Sequence, residues 1–154
     1  MAGAACLLSS IEGFAVAQQK KIRVGVIGCG SVSTQYFPHL AESPYVEFVS
    51  ACDIIYERAQ KRAAEYKVPN AFPHIDKMLA GPPFDLMITD YSMPGMTGGD
   101  LAKAARTIAP GLPILIASGY AELPPGLDLD VAKLGKPYTQ DQLAQEIGKL
   151  MVAH

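Results

Sequence analysis

The sequence has little of what several functional classes require. Its only cysteines, Cys6, Cys29 and Cys52, are an odd number without metal-ligand spacing. That excludes a zinc ribbon or a disulfide framework and points to buried thiols in a reducing compartment. No apolar run reaches the ~18 residues that a membrane span needs. Thirteen basic and fifteen acidic side chains give a net charge of −2, with no Lys/Arg cluster, so a nucleic-acid partner is not expected. Internal repeats, low-complexity tracts and a long linker are also missing.

What is present is a chain of 154 residues with 49% apolar composition, enough for one ordinary folding unit with a sizeable core. Residues 1–20 precede the first strand and contain Ala15-Val16-Ala17, a small-x-small pattern like a leader cleavage site. No basic residue precedes their apolar stretch, and Glu12 interrupts it. The segment is therefore read as leader-like or poorly ordered. A cytoplasmic location is expected, or an exported one if residues 1–17 are a remnant leader.

Residues 21–154 alternate between strand and helix patterns. Strands are expected at Ile22–Ile27, Val46–Cys52, Asn70–Pro73, Asp85–Thr89, Pro113–Ala117 and Val131–Leu134. Helices are expected at Ser31–Glu42, Tyr56–Tyr66, Ile75–Ala80, Gly98–Ile108 and Thr139–Val152, the last opened by a Thr139/Gln142 capping box. Pro38 should bend the first helix or sit near its start. Gly119–Asp130, with two prolines and two glycines, reads as loop. Alternation of this kind predicts an α/β fold: one doubly wound, mostly parallel sheet in a three-layer αβα arrangement.

The first candidate site follows the first strand. Gly28-Cys29-Gly30-Ser31-Val32-Ser33 is a G-x-G-x-x-S turn that opens a helix. Gly28 permits the sharp turn and Gly30 lets the backbone approach a pyrophosphate. Ser33 stands where Gly or Ala is usual and is small enough for close helix–strand packing. Asp53, about 20 residues on at the end of the second strand, is placed to bond ribose hydroxyls and to repel a 2′-phosphate. These residues, Gly28, Gly30, Ser31, Ser33 and Asp53, are the expected cofactor-binding set, with NAD favoured over NADP.

Residues 22–80 also resemble the N-terminal part of the Gfo/Idh/MocA oxidoreductases (glucose–fructose oxidoreductase, inositol dehydrogenase and relatives). The resemblance rests on the VGVIGCGSVS turn, the ACDI strand end, YERAQKRAAEYKVP and FPHIDKMLA. It implies a Rossmann order 3-2-1-4-5-6. It also implies that the substrate contacts and the catalytic His or Tyr come from a second, C-terminal domain. No catalytic residue is therefore assigned, and turnover by these residues is not expected.

Residues 84–154 resemble a different family, the response-regulator receiver domains. Asp90, followed by YSMPGMTG, matches the phosphoacceptor loop. Ser118 matches the hydroxyl that bonds the phosphoryl group, and Lys136-Pro137 matches the lysine that pairs with the phosphoaspartate. A receiver also needs acids at the end of its first strand to hold Mg²⁺, and here that strand ends in Ile27-Gly28-Cys29. Asp53 would lie about 9–10 Å from Asp90 by strand spacing. Mg²⁺ is accordingly not expected, phosphotransfer should be impaired, and Lys136 should form an ion pair with Asp90. The Gfo/Idh/MocA enzymes also carry a Lys-Pro after their fifth strand, so the lysine alone does not discriminate.

The expected whole is one domain over 21–154, with an oxidoreductase-like half at 21–83 and a receiver-like half at 84–154, as in a recombined or engineered chimera. The favoured function is a weakened NAD-type binding domain without turnover. A receiver-type phosphoacceptor module on Asp90 and a scaffold with neither activity stay open. The sequence identifies no protein partner.

Overall fold

Six strands form one sheet in which every pairing is parallel, in the order β3-β2-β1-β4-β5-β6. The computed structural model describes residues 20–119 and 131–153. The strands are β1 Ile22–Ile27, β2 Val46–Cys52, β3 Asn70–Phe72, β4 Leu86–Asp90, β5 Ile114–Ser118 and β6 Ala132–Gly135. The helices are α1 Phe37–Glu42, α2 Tyr56–Tyr66, α3 Ile75–Leu79, α4 Gly98–Ile108 and α5 Gln140–Ala153. The leader-like segment and most of the Gly119–Asp130 loop lie outside the described residues. Among the described residues no helix is long and apolar enough to cross a membrane.

The central strands are apolar on both faces, which is what a sheet covered on both sides by crossover helices demands. One face packs Val24, Val26, Phe48 and Leu86 against Phe37 and Leu40 of α1, Ala59 and Ala63 of α2, and Leu143 and Ile147 of α5. Phe37 is fully buried there, with the Phe48 ring edge-on at 4.8 Å and the Tyr66 ring at 5.5 Å. The other face packs Ile27, Met87, Ile114 and Ile116 against Met78 of α3 and Leu101, Ala102 and Ala105 of α4. The three layers follow from this division.

The helix expected over Ser31–Glu42 is divided, and Pro38 sits near the start of its second part, one of the two places expected for it. A 3₁₀ turn spans Ser31–Gln35, and α1 begins only at Phe37. Pro38 is the cause: it has no N–H to give the carbonyl four residues back, so an α-helix cannot run through it from Ser31. Ser33 and Thr34 reinforce the tight turn by donating their hydroxyls to the carbonyls of Gly30 (2.6 Å) and Ser31 (2.5 Å).

The β4 strand is shifted by one residue from its expected start. Asp85 stands before it, held by β1. The Arg23 guanidinium and backbone N–H donate to its carboxylate at 2.7, 3.1 and 3.0 Å, and its own N–H donates to the Arg23 carbonyl at 2.7 Å. The shift brings Asp90 into the strand, opposite Ala117 of β5.

Candidate functional site

The carboxyl ends of β1 and β4 lie side by side. Ile27 pairs with Thr89 in register, so Gly28 and Asp90 leave the sheet as neighbours. A cleft of about 800 Å³ opens above them. The glycine-rich turn and Asp53 line it, with Arg58, Lys61 and Arg62 from α2, His74 and Asp76, and the loop from Asp90 to Met96. Both sequence motifs therefore face one space.

Gly28 and Gly30 have different reasons to be glycine. Gly28 has φ +96°, a left-handed conformation that a side chain would strain, and a Cβ there would come within 3.3 Å of the Met93 sulfur. Gly30 has φ −74° and ψ −165°, which any residue adopts. A Cβ on Gly30 would meet nothing closer than the Arg58 guanidinium at 3.8 Å. The fold does not need a glycine at 30, and its open backbone faces the cleft.

Asp53 is buried and clamps the turn. One carboxylate oxygen accepts the Cys29 N–H and the other the Ile55 N–H, both at 2.8 Å. Each oxygen keeps further lone-pair capacity. Ser33 is buried, with its hydroxyl turned back to Gly30, and Ser31 is exposed at the mouth of the cleft. The Tyr36 hydroxyl, buried under the turn, donates to the Gly28 carbonyl at 3.2 Å. Burial holds the Tyr36 phenol well above its usual range, with Tyr138, Cys29, Asp90 and Asp53 adding to the effect. Cys29 and Cys52 are buried free thiols, each pushed up to about 12, first by burial and then by Asp53. They stay protonated at neutral pH.

The receiver-like residues also come together. Lys136 of the turn after β6 is ion-paired with Asp90, as expected, and its N–H donates to the Ser118 carbonyl at 2.7 Å. Ser118, buried at the end of β5, is opposite Gly135. Tyr138 lies close by; its phenol is pushed up to about 12, mainly by burial and then by Asp90. Among the described residues no group of three His, Cys, Asp or Glu side chains is gathered for a metal ion. Asp53 directly follows β2 and Asp90 ends β4, with β1 between the two strands.

Several residues of the site escaped the sequence reading. Met93 crosses from the β4 loop to cover Gly28 and accepts a 3.7 Å hydrogen bond from the Thr89 hydroxyl. Thr97 and Asp100 form a capping box that starts α4, and Gly98 approaches the Asp90 backbone so closely that a Cβ would lie 2.5 Å from its carbonyl oxygen. The Thr97-x-x-Asp100 spacing was a legible signal. The Met93 contact and the Arg23–Asp85 clamp had none.

A parallel sheet in this order, with a glycine turn after β1 and an acid ending β2, defines a Rossmann-type dinucleotide-binding class. The oxidoreductase family with an NAD-binding Rossmann fold, Gfo/Idh/MocA, matches residues 22–109, more than half of the chain, and the chain belongs to it. The match runs past residue 83, through β4 and α4, where the receiver resemblance was read. The WlbA dehydrogenase of Bordetella pertussis, solved with NADH and UDP-GlcNAcA, is 23% identical with a TM-score of 0.55, over 64% of this chain and 29% of that one.

A likeness to receiver domains is also present. The response regulator receiver protein CpdR of Brucella abortus is 37% identical over 75 residues, 46% of this chain and 62% of that protein. A CheY-like receiver domain of Methanospirillum hungatei is 18% identical with a TM-score of 0.58, over 86% of this chain and 96% of that one. The chain thus spans about three fifths of that curated relative and under a third of the dehydrogenase.

Proposed function

We propose that this chain is a nucleotide-binding domain that holds an NAD-type dinucleotide in the cleft between the ends of β1 and β4, without turning over a substrate. The observation that carries the reading is Gly30. Its backbone needs no glycine and its missing side chain leaves the cleft floor open, as close approach of a pyrophosphate requires. Arg58 beside it supplies positive charge, and Asp53 keeps acceptor capacity for a ribose hydroxyl. Ser31 and Ser33 line the same cleft. Bound NAD would bring hydride chemistry; this reading gives the residues here only binding and orientation. Calorimetric titration with NAD up to millimolar concentration tests it. Saturable heat is expected, and no heat rejects the reading.

A second reading is favoured by one observation: Asp90, Ser118 and Lys136 meet at adjacent strand ends, as in a phosphoacceptor site. With no second acid on β1, such a site would work slowly. In a phosphoryl transfer, an Asp90 oxygen would attack the phosphorus of acetyl phosphate, releasing acetate and leaving a phosphoaspartate. Incubation with acetyl phosphate and Mg²⁺ followed by intact-mass measurement decides it. An adduct that disappears in Asp90→Asn supports the module, and no adduct rejects it. The two halves sharing one cleft is also what recombination between two related folds would produce.

A further inference from the structure

The cleft is lined by an acid, Asp90, that a dinucleotide motif would not place beside a pyrophosphate, and that acid is ion-paired with Lys136. Asp90 ends β4 beside Gly28, which follows β1, and neighbouring strands run about 5 Å apart. Its carboxylate lines the same cleft as Gly28 and Gly30 and is only 13% exposed. Lys136, 18% exposed, reaches it from the far side of the sheet edge, two strands away in the order β4-β5-β6. The negative field of Asp90 already acts on the phenols of Tyr36 and Tyr138 nearby.

We infer that the Asp90–Lys136 pair is an electrostatic setting on this cleft: it determines how well an anionic ligand is held on the glycine-rich turn. The inference rests on the dinucleotide reading above and extends it to residues that make no part of the G-x-G-x-x-S motif. Its logic is that of two opposite charges, both short of water, close to a third. With the pair intact, the two fields largely cancel at the turn. Removing the carboxylate frees the ammonium, which then attracts a phosphate. Removing the ammonium leaves an uncompensated carboxylate, which repels it. One unit charge several ångströms from another, in surroundings of intermediate dielectric, shifts an affinity by about tenfold or more. The pair therefore explains how the chain accommodates an acid at a strand end where a dinucleotide-binding domain gains nothing from one.

The test is a double-mutant cycle read by NAD binding. NAD is titrated calorimetrically into the wild-type chain, Asp90→Asn, Lys136→Gln and the double variant, at one fixed ionic strength. Asp90→Asn should bind about tenfold tighter, and Lys136→Gln about tenfold weaker or more. The double variant should return to within about threefold of wild type, because both fields are gone. A role in holding the loop shape would instead weaken both single variants and leave the double variant weakest. That pattern, or four equal affinities, overturns the inference while leaving the dinucleotide reading intact. No binding to any of the four overturns the dinucleotide reading, and this inference with it. Should Lys136→Gln fail to fold, Asp90→Asn against wild type decides alone: tighter binding supports the inference, and equal or weaker binding rejects it.

Discussion

Gly28 and Gly30 are two residues apart and answer to different demands. At Gly28 the backbone itself is left-handed and Met93 fills the space above, so an added methyl group meets both torsional strain and a sulfur atom. At Gly30 the torsions are ordinary and the space is open. Gly28→Ala should therefore lower stability by about 1–3 kcal/mol in urea unfolding. Gly30→Ala should leave stability within about 1 kcal/mol of wild type, because its torsions suit alanine and the substitution reduces backbone entropy in the unfolded chain. In calorimetry Gly30→Ala should nevertheless lose at least about tenfold in NAD affinity, the result expected when a side chain occupies ligand space. If Gly30→Ala instead loses as much stability as Gly28→Ala, the residue is structural and the open floor has no functional meaning. Asp53 belongs to both descriptions: its two hydrogen bonds to backbone N–H groups hold the turn against β2, whatever else it binds.

At the scale of elements, what joins β1 to the entry of β4 is the Arg23–Asp85 clamp. Hydrogen bonding from the Arg23 side chain is the main reason the Asp85 carboxyl lies below its usual value, and the Arg23 backbone N–H adds to it. A carboxyl lowered by folding contributes stability above its unfolded value of about 3.9, and loses it as pH falls through the lower folded value. Asp85→Asn should thus have a lower Tm than wild type at pH 7. The two melting curves should converge as pH falls below about 4. Parallel curves from pH 7 to pH 3 would show that the clamp does not operate through charge. The segment after the glycine turn shows how local chemistry divides a helix. One helix was expected, bent at Pro38 or with Pro38 near its start; Pro38 stands in the first turn of α1, and with the hydroxyls of Ser33 and Thr34 it divides the segment into a 3₁₀ turn and α1. The Thr139/Gln142 box was legible and is formed, its two hydrogen bonds at 2.8 and 3.2 Å.

Over the whole molecule, two family signatures occupy one sheet because the two folds agree on a neighbour. In a Rossmann sheet β4 packs beside β1, and in a receiver the phosphoacceptor strand does the same. A receiver-like β4 can therefore stand in the Rossmann position without altering any pairing, and β1 takes β2 on one side and β4 on the other. The common geometry also explains why dehydrogenase and CheY-like structures fit this chain about equally well. Its consequence is a shared cleft, in which the glycine turn and the phosphoacceptor loop face each other.

The order of the elements, the parallel sheet, the turn at 28–33 and the acid at 53 could be read from local spacing, and the group Asp90, Ser118 and Lys136 from the resemblance to receiver domains. Each depends on a strand, a turn and a helix close together in the chain, and the periods of those elements are written in neighbouring residues. Packing between distant segments made the rest. Met93 over Gly28, Arg23 on Asp85, and the Tyr36 hydroxyl under the turn each join residues on different elements. No periodicity specifies which long side chain will cross a cleft, because that depends on how two strand ends and their loops are placed once the sheet has formed. The Asp90–Lys136 pair stands between the two groups: the receiver resemblance implied it, but its residues are 46 apart in the chain and the parallel order of β4, β5 and β6 brings one to the other.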